Sequence, residues 1–234
     1  MKLKKEDGVS SVVAIMLILA VLVIGISLFM GIYLPDLKET SEIQNSEQIR
    51  DVFLSYATTI EGAYSTQQSG YYSWVISLGA GDVLLSPSKS SGTFELKYTD
   101  NISINYTGLA SPIICKKLDI TYIPTISYWS DLGYTYSKGV VKVKKDSVNR
   151  FVEYLKLANS KNGYYVNGDT LTVIDFKTAD DSNFKSGSGT ATLTLKIEKD
   201  TPISIDSDTT VEIGTEEKLG VTEIIVLKAT VSIK

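Results

Sequence analysis

An uncharged, apolar run from Val9 to Leu34 constrains this chain more than any other feature. Its 26 residues would reach roughly 39 Å as an α-helix, which rises about 1.5 Å per residue. The hydrocarbon core of a bilayer is about 30 Å thick, and buried helices of soluble proteins are usually shorter and interrupted by polar residues. Residues 9–34 are therefore predicted to form one membrane-spanning helix that contacts membrane lipid.

Charges on the two sides of this run predict its orientation. Three lysines precede the run, whereas Lys38 stands among acidic residues after it. Basic flanks stay on the cytoplasmic side of a membrane span. We expect a cytoplasmic leader over residues 1–8, a single pass through the cytoplasmic membrane, and an extracellular domain beyond it. The lysines are Lys2, Lys4 and Lys5, and the acidic residues are Asp36, Glu39 and Glu42.

An ordinary secretory signal is the first alternative to an anchor. Such signals have an apolar stretch of about 7 to 15 residues followed by a cleavage site of small residues. This run is longer and ends in Ile32-Tyr33-Leu34-Pro35-Asp36. Neither feature fits ordinary signal cleavage.

The short basic leader ends at Gly8, and the apolar run follows directly as Val9-Ser10-Ser11-Val12-Val13-Ala14-Ile15-Met16-Leu17. This junction resembles the class III (prepilin-type) signal of archaeal type IV pilin-like proteins, whose leader is cut just before the apolar helix. Two positions depart from the pattern. Asp7 stands where archaeal leaders usually carry a basic residue, and Val13 stands where bacterial pilins carry glutamate.

The resemblance implies that a prepilin peptidase cleaves the chain between Gly8 and Val9. It also implies that the processed helix associates with copies of itself in an extracellular filament. Small residues along the helix permit close helix approach in a bilayer or in a filament core. They are Ala14, Ala20, Gly25, Ser27 and Gly31.

Residues 35–69 are predicted to form a polar neck followed by an amphipathic helix. Pro35 is expected to kink or interrupt the apolar helix, and residues 36–48 are mostly polar, which predicts a solvated segment. Apolar residues then recur at three- and four-residue steps, which predicts one buried helical stripe. The stripe comprises Ile49, Val52, Phe53, Tyr56, Ala57, Ile60, Ala63 and Tyr64.

From residue 70 onward, the apolar period changes to two, and clusters of Gly, Asn, Asp and Ser divide the chain into short pieces. Helical periodicity is scarce between these pieces, which favours an antiparallel sandwich or meander over a βαβ sheet. The predicted fold class is α+β, with a long N-terminal hydrophobic helix followed by an antiparallel β-rich, sandwich-like head domain over residues 70–234.

Three stretches have the clearest strand patterns: 93–98, 190–198 and 224–233. In the last, Ile224 and Val226 are apolar on the face opposite Ile225 and Leu227, which predicts a centrally paired strand covered on both sides. Phe94, Leu96 and Tyr98 are predicted to share a buried face. Further candidate strands are 72–78, 82–85, 102–106, 118–123, 140–144, 170–176 and 209–213, and 148–157 fits either a helix or a strand.

Composition argues against several functional classes. The formal net charge is −4, and no concentrated basic patch offers a nucleic acid its phosphate contacts. The chain has no histidine, which removes the commonest general base and zinc ligand. We therefore expect no enzymatic activity, no catalytic or metal site, no cofactor and no nucleic-acid partner.

Cys115 and two acidic segments are the remaining reactive or metal-binding candidates. Cys115 is the only cysteine, so no internal disulfide can form, and its apolar neighbours Ile113 and Ile114 predict a buried, inert thiol. Asp180-Asp181 and Asp206-Ser207-Asp208 lack the glycine and glutamate spacing of an EF-hand loop, which favours ordinary acidic turns.

Two N-glycosylation sequons begin at Asn101 and Asn105, with Ser103 and Thr107 as their third residues. On a strand, asparagines four residues apart share a face, opposite Ile102 and the other even-numbered residues. We expect both asparagines to face solvent and to carry glycans outside the cell.

Two function classes remain open at this point. One is a non-catalytic pilin-like or pseudopilin subunit of a cell-surface filament, with a structural or adhesive role. The other is a single-pass, membrane-anchored extracellular binding protein that does not polymerise.

Overall fold

The computed structural model describes residues 7–79, 89–126, 132–145, 150–156, 163–179, 183–207, 209–214 and 217–234. A long N-terminal helix precedes a largely antiparallel, β-rich head with curled sheets, so the predicted α+β class is confirmed. The helix comprises α1 (Asp7–Leu28), a π-helical turn (Phe29–Tyr33) and α2 (Leu34–Thr66).

The strands follow in chain order. They are β1 (Gly70–Ser77), β2 (Ser91–Tyr106), β3 (Ile113–Ile126), β4 (Gly133–Ser137), β5 (Val140–Lys145), β6 (Arg150–Lys156), β7 (Tyr164–Asn167), β8 (Thr170–Thr178), β9 (Phe184–Gly187), β10 (Thr190–Lys199), β11 (Ile203–Ser204), β12 (Val211–Ile213), β13 (Glu217–Leu219) and β14 (Glu223–Ile233). The first sheet has the order β1-β10-β14-β8-β7, and the second has the order β13-β12-β2-β3-β4-β5-β6.

The helix continues through Pro35, so the predicted interruption there is wrong. Pro35 lies in the first turn of α2, directly after the π-helical turn. A proline inside an α-helix lacks an N–H donor and clashes with the carbonyl four residues earlier. Here the Leu34 N–H donates to the Phe29 carbonyl, five residues back, and the wider turn accommodates the ring without ending the helix.

The amphipathic stripe of α2 is buried, as its periodicity predicts. Phe53, Tyr56 and Ile60 are at most 2% exposed, and Val52 packs against the same cluster from a half-buried position. The helix ends at Gln67, whose backbone has a left-handed φ of 54° and whose N–H donates to the Ala63 carbonyl.

The predicted solvated neck is wrong for one face of α2. Leu34, Lys38 and Glu42 are buried, and they continue the stripe at four-residue steps toward α1. Ser90 Oγ donates to Glu42 Oε1 at 2.6 Å. The head therefore contacts the helix from Leu34 onward, directly where the apolar run ends.

Most of the predicted strands are present, with three corrections. The candidates at 93–98 and 102–106 belong to one strand, β2, whose register against β3 shifts between Tyr98 and Asn101. The prediction that Tyr98 is buried with Phe94 and Leu96 is wrong, because Tyr98 is 38% exposed beside this register shift. Strands β8 and β14 pair in parallel, which the antiparallel prediction missed. Residues 150–156 form a strand, so the segment 148–157, which fitted either a helix or a strand, is a strand over these residues. The candidate strand at 82–85 lies outside the described residues.

Two apolar cores hold the head together, and β14 contributes to both. Its odd-numbered residues, including Ile225 and Leu227, join the α2 stripe and residues of both sheets in the larger core. Ile224 and Val226 face the smaller core, with Ile104 and Cys115 of the second sheet. The prediction that this strand is covered on both faces and paired centrally is confirmed.

The smaller core lies beyond the C-terminal end of α2, away from α1. Tyr64 Oη donates to the Gly163 carbonyl at 2.8 Å, and the Gln67 amide donates to Thr172 Oγ1 at 3.3 Å. The neighbouring strands β7 and β8 supply Tyr164 and Leu171 to this core. The smaller core and the adjoining end of β2 therefore lie at the end of the head that is next to the C-terminal end of α2, and this end is called the tip.

Candidate functional site

The side chains of α1 form a continuous exposed apolar surface. The exposed large apolar side chains of α1 and of the π-helical turn range in exposure from 47% at Met30 to 68% at Ile32, whereas Phe29 is half-buried. By length and composition, this segment is a candidate membrane span, and the apolar window that qualifies it has no residue buried by the rest of the chain. An apolar surface of this size on a monomer marks contact with lipid or with other protein chains.

Gly25 and Gly31 lie within this surface and have open space around them. A Cβ atom built on either glycine would meet no heavy atom within 4 Å. Within one chain, neither glycine is therefore required by packing. Small residues of this kind let helices approach each other closely, so both mark places where another helix can lie.

Gly8 and Val9 lie in the first turn of α1, which begins at Asp7. Their side chains fall outside the described residues. Cleavage between them stays a prediction.

The two sequon asparagines lie on β2 and are exposed, whereas Ile102 and Ile104 on the opposite face are buried in the smaller core. The predicted facing of this strand is confirmed, and glycan attachment stays a prediction. The two sites differ in their surroundings. Asn101 lies opposite Lys116 of β3, just after the register shift, whereas Asn105 lies opposite Glu212 of β12.

A cleft of about 480 Å³ lies beside Asn105 at the tip of the head. The end of β2 and the turn after it line one side, and Thr210 with Glu212 of β12 lines the other. Gly108 adopts a φ of +101° in that turn, a conformation that favours glycine, and the Leu109 N–H donates to the Tyr106 carbonyl at 3.1 Å. The lining residues are Asn105, Tyr106, Thr107, Gly108, Leu109, Thr210 and Glu212.

Cys115 is 1% exposed and lies in the smaller core, as its apolar neighbours predict. Burial, together with the negative charge of Asp175, raises the pKa of its thiol to about 12. The thiol is therefore neutral and unreactive at physiological pH.

The acidic segments form no recognisable metal site in the part of the chain that the structure describes. Asp180, Asp181 and Asp208 lie outside that part, and Asp206 accepts the Thr209 N–H through its backbone carbonyl in a turn. Among the described residues, no group of three or more His, Cys, Asp or Glu side chains could hold a metal ion.

Sequence reasoning identified Asn105 but missed Thr210 and Glu212. These residues meet Asn105 only because β12 pairs with β2 from a position more than 100 residues later in the chain. The short alternation around Val211 and Ile213 predicts a strand there but does not indicate its partner.

No protein-family model matches this chain. No curated protein and no solved structure matches it significantly.

Proposed function

We propose that this protein is a non-catalytic, pilin-like subunit of a cell-surface filament. The leader lies in the cytoplasm, a prepilin peptidase cuts between Gly8 and Val9, and α1 passes from the membrane into the core of a filament of copies of this chain. The head lies outside the cell and has a structural or adhesive role.

The continuity of the helix supports this proposal best. The exposed apolar segment passes into the core helix of the head without a break, and burial begins at Leu34. A rigid connection fixes each head relative to its own apolar helix, so packing of the helices would also place the heads in a regular array. A static anchor has no need of this arrangement, since a flexible linker would serve it equally well.

A single-pass, anchored binding protein is the alternative that shares this anatomy. The two functions differ in whether α1 remains in lipid or packs against other copies. Gly25 tests the difference, because a larger side chain there meets nothing within the chain.

The first experiment measures processing. Mass spectrometry of the protein from its native host should find Val9 at the N-terminus of the mature chain. An intact leader in every membrane and surface fraction would remove the main support for a pilin-like subunit and favour the static anchor.

The second experiment measures assembly. Gly25→Leu should reach the membrane normally but reduce filaments that carry this protein, as seen by immunogold electron microscopy. The matched control is Ile24→Leu, which conserves volume and should assemble normally. Cells that make no such filaments under any growth condition, with a fully functional Gly25→Leu variant, would contradict the proposal.

A further inference from the structure

The cleft at the tip of the head contains the Asn105 sequon in its wall. Asn105 and Glu212 are direct partners in the β2–β12 register, and the neighbouring Tyr106 pairs with Val211. The side chains of directly paired residues share a face, with Cβ atoms about 4.5 to 5.5 Å apart. A group attached to the Asn105 side chain therefore lies beside Glu212 as soon as it leaves the strand.

The lining of the cleft suits a neutral, polyhydroxylated ligand. Glu212, Thr107 and Thr210 offer oxygen atoms that accept hydrogen bonds from hydroxyl groups, and Leu109 offers a small apolar surface beside them. The carboxylate of Glu212 gives the lining a negative charge, which disfavours an anionic ligand. The cleft has a volume of about 480 Å³ and is open to solvent on one side, so a chain attached at its edge can enter it.

Asn101 provides an internal contrast on the same strand. It is exposed like Asn105, but it does not line the cleft and lies opposite Lys116. A glycan on Asn101 would therefore extend into solvent, whereas one on Asn105 would begin beside a wall of hydrogen-bonding groups.

We propose that this cleft is a saccharide site and that its occupant is the N-linked glycan on Asn105, whose first sugars lie against Glu212 and Thr210. This inference rests on the extracellular position of the head in the proposed function. It does not depend on filament formation.

The attachment is a transfer from a lipid-diphosphate-linked oligosaccharide. Nδ2 of Asn105 forms a bond to the anomeric carbon of the first sugar, and the bond between that carbon and the diphosphate oxygen breaks. The lipid diphosphate leaves with the electron pair, and the amide proton passes to solvent. No oxidant or reductant is required.

A double-mutant cycle on the full-length protein from its native host tests the contact. Site-resolved mass spectrometry first measures glycan occupancy at Asn105 and Asn101. The melting temperature of the head is then compared for the wild type, Asn105→Gln, Glu212→Ala and the double variant. If the glycan occupies the cleft, Glu212→Ala should lower the melting temperature by about 2 to 4 °C in the glycosylated protein, and by less once Asn105 is replaced.

The matched control is the same cycle with Asn101→Gln in place of Asn105→Gln, where the effects should add. Hydrogen exchange of residues 105–109 and 210–212 gives a second readout, since Asn105→Gln should speed exchange there and Asn101→Gln should not. This readout keeps the test valid if Glu212→Ala fails to fold.

The inference would be overturned if Asn105 carried no glycan. It would also be overturned if Asn105 carried a glycan but the melting-temperature changes of Asn105→Gln and Glu212→Ala were additive and hydrogen exchange of the cleft residues were unchanged. To separate a free saccharide from the attached one, unglycosylated full-length chain would be titrated with the oligosaccharide released from host glycoproteins. Binding in that assay, with Asn105 unmodified in the host, would assign the cleft to an external saccharide and reject the attached occupant. A glycosylated Asn105 with a coupled Glu212, in cells without filaments, would instead contradict only the filament function.

Discussion

The two halves of the N-terminal helix differ in which of their side chains are buried, and composition does not explain the difference. In α1, Leu17 is 62% exposed, although nearly every neighbour is apolar, whereas in α2 the charged residues Lys38 and Glu42 are 6% and 8% exposed. Burial within one folded chain depends on which face of a helix meets a surface with matching partners. The α2 stripe meets both sheets of the head, while α1 is apolar all round and is left for contacts outside the chain.

The largest expected difference between the two halves is in the free energy of unfolding after one apolar side chain in each is truncated to alanine. Phe53 is 2% exposed and packs edge-on against Phe94, with ring centroids 5.8 Å apart. Phe53→Ala should lower the free energy of unfolding of the head by about 3 to 5 kcal/mol. Leu17→Ala should leave it unchanged, as followed by tryptophan fluorescence during urea unfolding in detergent. Equal losses would show that α1 also packs on the head.

A lysine substituted into each half should reduce membrane integration only when it lies in α1. Leu22→Lys puts an ammonium group in the middle of the apolar run, at a cost of about 3 kcal/mol on insertion scales. We expect a strong loss of membrane-integrated protein in carbonate-extracted membranes. Gln48→Lys changes an exposed position of α2 and should integrate normally. Normal integration of Leu22→Lys would indicate that residues 9–34 do not lie across a bilayer.

The buried polar part of α2 gives a smaller effect. Glu42→Ala removes the carboxylate that accepts the Ser90 hydroxyl and leaves that donor buried without this partner. The free energy of unfolding should fall by about 1 to 3 kcal/mol. Glu39→Ala, at an exposed position three residues earlier, is the control and should be neutral. If Glu42→Ala left the free energy of unfolding unchanged, this face of α2 would behave as the solvated neck that the sequence pattern predicted.

The burial of Glu42 also illustrates which features could be predicted from the sequence and which could not. The apolar run and the α2 stripe are local patterns, so their structures follow from periodicity alone. Burial of Glu42 depends on Ser90, which lies 48 positions away. The parallel pairing of β8 with β14 and the meeting of Asn105 with Glu212 depend in the same way on pairings between distant segments. No single-strand pattern encodes such a pairing.

The smallest expected effect on the free energy of unfolding comes from the buried tyrosines of the α2 stripe, and it depends on pH. Burial raises the pKa of Tyr56 and of Tyr64 well above the usual value. Unfolded tyrosines lose their protons near pH 10, whereas these folded ones stay neutral, so stability should fall as pH rises above about 10. Each buried tyrosine contributes a slope of at most about 1.4 kcal/mol per pH unit.

Tyr56→Phe should reduce this slope and leave stability nearly unchanged at pH 7, because the Tyr56 hydroxyl has no hydrogen-bond partner among the described residues. Tyr64→Phe should also reduce the slope but should cost about 0.5 to 1.5 kcal/mol at pH 7, because Tyr64 donates to the Gly163 carbonyl. Urea unfolding at pH 7, 9 and 10.5 measures both quantities. A loss above about 1 kcal/mol for Tyr56→Phe at pH 7 would indicate a partner for its hydroxyl.

Spin labels at one site in each half, on the full-length chain in lipid vesicles, compare the two environments most directly. In a Cys115→Ala background, Leu19→Cys and Gln48→Cys would each carry a nitroxide, and collisions with dissolved oxygen and with a water-soluble nickel chelate would be measured. If α1 spans the bilayer, the Leu19 label should collide with oxygen and be shielded from nickel, while the Gln48 label should be open to nickel. A Leu19 label that nickel reaches as readily as the Gln48 label would contradict a helix divided between lipid and the head.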